Sequence, residues 1–289
     1  MTMEKRISNF GVAYNTQIDG AVAISKEIST YLTKAGARIS SVGPIQEETM
    51  RHDINQPDLD ALIVLGGDGT ILRACHLCSY AKIPIVGVNL GTMGFLIELQ
   101  RDEWQQYFQR LLSGEYRIEK RMMLQAEHFR KENSLGSWQV VNEVVVCRGQ
   151  QVRPVRIATE VDGYPMASYV ADGVIAATPT GSTAYALAAG GAILPPDVRN
   201  IIIVPIAPHL SPDQSIILSE GAKVSIKVHT THQAVFSIDG HSPVIMKDGD
   251  HVQVGASEHD SLFIRFHDPG FFYRTLNRYL EQNPSLSTG

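Results

Sequence analysis

The chain is poor in the residues that mark specialised environments. It has three cysteines. So small and odd a number does not make a disulfide framework, and a reducing cytoplasm is the expected home. Long apolar runs are missing. The strongest, Ile201-Ile202-Ile203-Val204-Pro205-Ile206-Ala207, falls far short of the ~20 residues of a membrane helix and contains proline. It reads as a buried strand. Positive charge is in deficit: 25 Lys and Arg face 30 Asp and Glu, for a formal charge of −5. That argues against a general nucleic-acid or membrane-surface binder. No apolar stretch behind the first six residues is long enough for a signal peptide. Low-complexity tracts and fixed-period repeats are lacking too.

What is present is ordinary for a soluble globular protein. Hydrophobic residues make up 44% and charged residues 19%, which excludes a disordered chain. At ~150 residues per domain, 289 residues imply about two domains, with a core that needs no staples. The one mild excess is 24 glycines, many of them gathered into a few clusters.

The first 115 residues alternate strand-like and helix-like segments. Strands are expected at 10–14, 38–42, 61–65 and 84–89. Ala61-Leu62-Ile63-Val64-Leu65 does not alternate, as befits a parallel strand covered on both faces. Helices follow Asp19-Gly20, with Ile24, Ile28, Tyr31 and Leu32 on one face, and cover 70–79. A further helix has Trp104, Tyr107, Phe108, Leu111 and Leu112 at helical spacing, capped by Asp102 with Gln105 in a capping-box-like contact and ended by Ser113-Gly114. This pattern predicts a doubly wound, Rossmann-like α/β domain. Beyond about residue 115 come short β segments at 123–129, 138–146, 155–161, 174–177, 201–204, 223–228, 234–238, 244–246, 251–254 and 262–266. Asp162-Gly163, Asp239-Gly240 and Asp248-Gly249 punctuate them, the texture of a β-sandwich. One helix, about 182–189, interrupts. A closing helix, 271–282, carries Phe272, Leu276, Tyr279 and Leu280 on one face and is expected to return to the first domain. The expected domains are 1–115, completed by about 268–289, and 116–267.

Three motifs carry chemistry. Gly66-Gly67-Asp68-Gly69-Thr70 lies directly after the buried strand and before a helix, where open α/β sheets bind ligands. Its glycines let a phosphate approach the backbone, and the helix N-terminus favours an anion. No Gly-Lys-Ser/Thr follows, and Leu72 stands where the third glycine of a dinucleotide fingerprint would be. Asp68 makes sense if it binds a metal, accepts a proton from an attacking hydroxyl or holds a ribose hydroxyl; a plain tight turn is the competing reading. Second, Thr178-Pro179-Thr180-Gly181-Ser182-Thr183-Ala184-Tyr185 surrounds one glycine with hydroxyls. Ser182 or Thr183 can cap the following helix, and the density of hydroxyls favours a polyhydroxyl or phosphate ligand. Asp172-Gly173 upstream adds a carboxylate. Third, Asn142-Glu143 interrupts an apolar strand, so at least one needs a polar partner unless the strand bulges or ends there.

Together with Asn89-Leu90-Gly91-Thr92-Met93-Gly94-Phe95 and Asp239-Gly240, these motifs resemble the NAD kinases in order and spacing, from about residue 7 to 280. The Thr-Pro-Thr-Gly-Ser-Thr-Ala-Tyr string combined with Asn-Glu is highly specific. The resemblance implies an enzyme that moves a phosphoryl group from ATP, or polyphosphate, to the 2′-hydroxyl of the adenosine ribose of NAD, forming NADP. It implies Asp68 as proton acceptor with Gly69 beside it, and Gly66, Gly67 and Thr70 in the phosphate-cradling turn. Asn142 and Glu143 would contact the adenosine portion. Asp172 would reach NAD across a subunit interface in a homodimer or homotetramer. Thr183, Ala184, Tyr185, Ala186, Leu187 and Ala188 would line the nucleotide site, which is expected between the two domains. Arg153 falls where the family often has a basic or imidazole group near phosphates. Two positions depart from the pattern: His241 stands where Gln is usual, and Val170 where some members have a basic residue. A divalent cation, Mg²⁺, would bridge the donor's phosphates with no all-protein metal cage. Arg73 could steer polyphosphate or be a solvated helix residue. Cys75 and Cys78 read as buried helix cysteines rather than zinc ligands, and His229 and His232 as no metal site. A diacylglycerol-type lipid kinase and a non-catalytic NAD/NADP sensor are the alternatives.

Overall fold

A computed structural model describes residues 7–54, 56, 58–91, 94–209 and 212–281. The chain divides into two compact units, 1–120 with 261–289, and 121–260. No described helix is long and apolar enough to cross a membrane.

The first unit is built on parallel strands. β1 (Asn9–Tyr14), α1 (Ala21–Lys34), β2 (Arg38–Pro44), α2 (Glu48–Ile54), β3 (Ala61–Gly66), α3 (Asp68–Cys78), β4 (Ile85–Asn89), the two-residue β5 (Leu99–Gln100) and α4 (Trp104–Ser113) follow in order. The sheet runs β2-β1-β3-β4. Every residue of β3 is buried. Ala61, Ile63 and Leu65 enter a core with Ile24, Ile28 and Leu32 of α1 and Trp104, Phe108 and Leu111 of α4. Side chains of a strand alternate, so Leu62 and Val64 take the opposite face, where α3 packs on β3 and β4. This two-sided burial is why the run lacks alternation. The C-terminal helix Phe271–Glu281 belongs to this unit, as its apolar face predicts; position 282 lies outside the described residues. Its Phe272 and Tyr279 rings pack on Phe95, at 6.4 and 4.9 Å between centroids.

The second unit contains β6 (Arg117–Arg130, entering from the first unit), β7 (Asn133–Val140), β8 (Glu143–Arg148), β9 (Val155–Val161), β10 (Tyr164–Ala171), β11 (Gly173–Ala177), the one-turn α5 (Tyr185–Ala188), β12 (Asn200–Ile206), β13 (Ile216–Ser219), β14 (Val224–His229), β15 (Ala234–Ile238), β16 (Val244–Met246) and β17 (His251–Arg265, which runs on into the first unit). An antiparallel sheet β13-β12-β11-β8-β15-β16 packs on strands β10-β9-β14-β17 and the β6-β7 hairpin. Ile157, Ile226 and Val252 from one side share a core with Val144, Val174, Ile203 and Phe236 from the other, which is the expected sandwich.

Several local expectations are corrected. The segment 138–146 is two strands, broken at Val141-Asn142, because Asp239 captures the amides there. The helix expected at about 182–189 is a 3-10 turn, Gly181–Thr183, followed by a single α turn, with no side-chain cap from Ser182 or Thr183. Glu103 rather than Asp102 stands at the N-cap of α4, no side chain caps it, and the capping-box contact of Gln105 is not formed. The separate strands 251–254 and 262–266 are one long strand. The short helix α2 and strands β5, β10 and β13 join the expected set.

Candidate functional site

The 66–70 turn joins the end of β3 to α3. Gly67 is the N-cap residue and Asp68 the first residue of the helix. A carboxylate suits that position, where the helix dipole is positive. Its oxygens do not fold back on their own helix. Oδ2 accepts the Phe95 amide at 2.8 Å and Oδ1 the Leu96 amide at 3.2 Å. The electrostatic awkwardness of an acid in a phosphate-binding turn is thereby met by two dipoles. The close fit explains Gly94: a Cβ there would overlap the Asp68 carboxylate. Asn89, buried at the end of β4, steadies the same turn by accepting the Gly91 amide and donating to Gln100. Thr92 and Met93 lie outside the described residues.

In front of Asp68 is a cleft of about 580 Å³, lined by the glycine turns, Asn15, Gln17, Gln46, Thr70 and Arg73. That is the size of a small-molecule site. Among the described residues that line it, Asp68 is the one carboxylate and Arg73 the one guanidinium. Arg73 is exposed on α3 and lines the cleft, so the steering geometry is available to it.

The second unit assembles the other predicted residues around a strand break. Asp239 Oδ2 accepts the Val141 amide at 2.8 Å, and Oδ1 accepts the Asn142 and Glu143 amides at 2.7 and 3.0 Å. The Asn142 carbonyl accepts the Thr178 amide at 2.8 Å. Thr178 Oγ1 donates to the Val141 carbonyl at 2.6 Å and accepts the Gly181 amide at 3.0 Å. Gly181 has no room for a side chain, because a Cβ would overlap the Asn142 carbonyl. Ser182 Oγ donates to the Pro179 carbonyl and accepts the Leu194 amide, and Thr183 Oγ1 donates to the Thr180 carbonyl. These hydroxyls build the loop, so their density marks a folded turn held by its own side chains. Tyr185 stands on α5 and is 45% exposed; Ala184 precedes it, Leu187 and Ala188 follow, and Ala186 is buried.

Glu143 is the unusual group. It is buried, its Oε2 has no hydrogen-bond partner, and the Tyr185 amide donates to its carboxylate. Burial first, and the nearby Asp239 charge second, push its pKa up to about 7 against the helping Tyr185 amide. Between about 4.5 and 7 the folded state holds a proton that the unfolded chain has lost, so stability falls as pH rises through that window. Above pH 7 the full penalty applies, roughly 3 kcal/mol as an upper bound. Glu143→Gln should therefore raise the thermal midpoint at pH 8 and leave it nearly unchanged at pH 5. Equal shifts at both pH values would show that ionisation of Glu143 is not the cause.

Asp172 forms an ion pair with Arg148, 2.9 Å from Nε to Oδ1. Arg148 is a neighbour that sequence reasoning missed; only its position near the end of an apolar strand could have flagged it. Arg153 is exposed in the loop before β9. His241 Nδ1 donates to the Ile238 carbonyl at 2.9 Å, tying the imidazole to the Asp239 turn. Cys75 and Cys78 are buried in α3, and burial pushes the Cys78 thiol upward. Among the described residues no group of three or more His, Cys, Asp or Glu side chains converges. Both oxygens of Asp68 already accept amides. Among the described residues, therefore, the side chains form no protein-held metal cage.

Comparison with known proteins decides the family. A sequence model of the ATP-NAD kinase N-terminal domain matches residues 10–116, and one of the ATP-NAD kinase C-terminal domain matches residues 141–266. The chain belongs to the NAD kinase family. It is 34% identical to a curated NAD kinase of Chloroflexus aurantiacus over 93% of this chain and 97% of the relative. Among solved structures it resembles the yeast NADH kinase complexed with NADH, with a TM-score of 0.81 and 25% identity over 99% of this chain and 91% of that one. An NAD kinase from Archaeoglobus fulgidus in complex with ATP shares the fold, with a TM-score of 0.73 and 24% identity over 93% and 98%. As a member of the NAD kinase family, the chain is a phosphotransferase.

Proposed function

We propose that the chain transfers the terminal phosphoryl group of ATP to the 2′-hydroxyl of the adenosine ribose of NAD, with Asp68 accepting the hydroxyl proton. The observation that supports this most directly is the Asp68 carboxylate held by two amides at the wall of a ligand-sized cleft. Phosphoryl transfer asks the protein chiefly for positioning and charge stabilisation. The first unit supplies both: the backbone of the 66–70 turn at a helix N-terminus for the phosphates, and a fixed base for the hydroxyl. The second unit supplies nucleotide contacts through Asn142, Glu143, Asp172 and the 183–188 segment. Mg²⁺ is the cation of this reading; held by the donor's phosphates and water, it would neutralise part of their charge.

The test is a coupled assay for NADP formation, run separately with ATP and with polyphosphate, and with NADH beside NAD. NADP formation from ATP is expected. Calorimetric binding of NAD without NADP from either donor would favour the sensor reading, and transfer to diacylglycerol the lipid-kinase reading. Arg73→Ala is expected to raise KM for the donor about 10-fold, the loss of one charge-assisted hydrogen bond, with KM for NAD unchanged. An unchanged donor KM would return Arg73 to the role of a solvated helix residue.

A further inference from the structure

The two amides that grip Asp68 belong to Phe95 and Leu96. Neither residue sits in a helix or a strand, so something else must hold the peptide still. The structure places that support behind the loop. Arg265, at the end of β17, is buried, and its Nη1 donates to the Leu96 carbonyl at 2.8 Å. Its Nε donates to Glu119 at 3.1 Å, and its guanidinium lies 4.6 Å from the centre of the Phe263 ring. The grip is reciprocal. Two residues past Leu96, Glu98 is also buried, and its Oε2 accepts the Phe266 amide at 2.9 Å and His267 Nδ1 at 3.3 Å. Tyr107 lies 3.0 Å from His267 Nε2. In the tautomer whose Nδ1–H donates to Glu98, Nε2 accepts from the Tyr107 hydroxyl. Segments 95–98 and 265–267 are thus bolted together in both directions, and the Phe95 ring is packed by Phe272 and Tyr279.

We infer that Arg265 is a positioning residue for the phosphoryl transfer: by holding the Leu96 carbonyl it fixes the two amides that orient the Asp68 carboxylate. This rests on the reading of Asp68 as the proton acceptor. Arg265 touches no substrate in this account. Its partners Leu96, Glu98 and Glu119 are far from it in sequence, and the guanidinium suits the task because its fork serves a carbonyl and a carboxylate at once. Lysine carries its three donors on one nitrogen and lacks the planar fork, so it serves the two acceptors less well.

The test is steady-state kinetics on Arg265→Met, Arg265→Lys and Asp68→Asn, together with the Asp68→Asn/Arg265→Met double variant, each checked for folding by circular dichroism and a thermal midpoint well above the assay temperature. A displacement of about 1 Å at a reacting group costs on the order of 100-fold. Arg265→Met is expected to lose about that factor in kcat with KM for NAD unchanged, and Arg265→Lys to fall between it and the parent. In the Asp68→Asn background the same change should cost almost nothing, because its effect passes through Asp68. A second full loss in the double variant, or a folded Arg265→Met with parental kcat, overturns the inference. So does a loss carried by KM. Should Arg265→Met fail to fold, Glu119→Gln, which leaves Arg265 in place but loosens it, is read by the same criteria. If Asp68→Asn itself keeps normal turnover, the reading of Asp68 fails first, whatever Arg265 does.

Discussion

Asp68→Asn is expected to lower kcat by about 10²–10⁴-fold, the usual contribution of a positioned general base, while the fold and NAD affinity persist. The substitution is nearly isosteric. The asparagine oxygen can still accept one of the Phe95 and Leu96 amides, and its NH2 meets the other unfavourably. That mismatch costs about 1 kcal/mol, too little to unfold a domain whose core lies elsewhere. What disappears is the capacity to take a proton. The prediction therefore separates chemistry from binding: calorimetry with NAD should give a near-parental affinity while NADP formation collapses. Near-normal turnover would remove Asp68 from the mechanism. A collapse of both affinity and turnover would mean that the carboxylate acts by holding the loop of Phe95 and Leu96 in shape.

Much of this arrangement was legible in the sequence, for identifiable reasons. The unalternating run at 61–65 announced a strand buried on both faces, and the glycine turn after it announced a ligand loop, because both signals are local. The apolar faces of α1, α4 and the C-terminal helix were equally local. Short α2 was not legible, since only Met50 and Ile54 are buried in it and no apolar stripe results. The break at Val141-Asn142 was hidden because its cause, Asp239, lies 97 residues from Asn142. The run from Trp138 to Val146 carries strand-forming residues throughout, and only a distant carboxylate interrupts it. Serine and threonine at 178–183 carry the local signals of both ligand groups and helix caps. They spend themselves on nearby carbonyls and amides, a competition with helix formation that the sequence leaves undecided. Arg265 was invisible for the opposite reason: one arginine ending an apolar strand carries no local sign that a buried Glu98 and a half-buried Glu119 await it.

Asp239 should prove the most consequential residue for the stability of the second unit. Asp239→Ala is expected to cost several kcal/mol, roughly 3–6, because it strips the acceptor from three amides and each unmet buried donor costs about 1–3 kcal/mol. The backbone adds to this. Asp239 has φ +48°, a left-handed conformation that Asp and Asn tolerate and alanine resists. Asp239→Asn keeps both the conformation and one acceptor oxygen, so it should fall between parent and alanine. Against a total stability of about 5–15 kcal/mol, the alanine variant approaches unfolding. Urea denaturation would measure this as a lower midpoint with an unchanged slope. The same carboxylate also raises the pKa of Glu143 by charge repulsion. Asp239→Asn should therefore move the Glu143 titration back toward its ordinary range, and narrow from its upper end the pH window over which stability falls. If the asparagine variant unfolds like the parent and its pH profile is unmoved, Asp239 neither pins the strand break nor sets the charge state of Glu143. If only the pH profile moves, the carboxylate's work is electrostatic and the three amides find other acceptors.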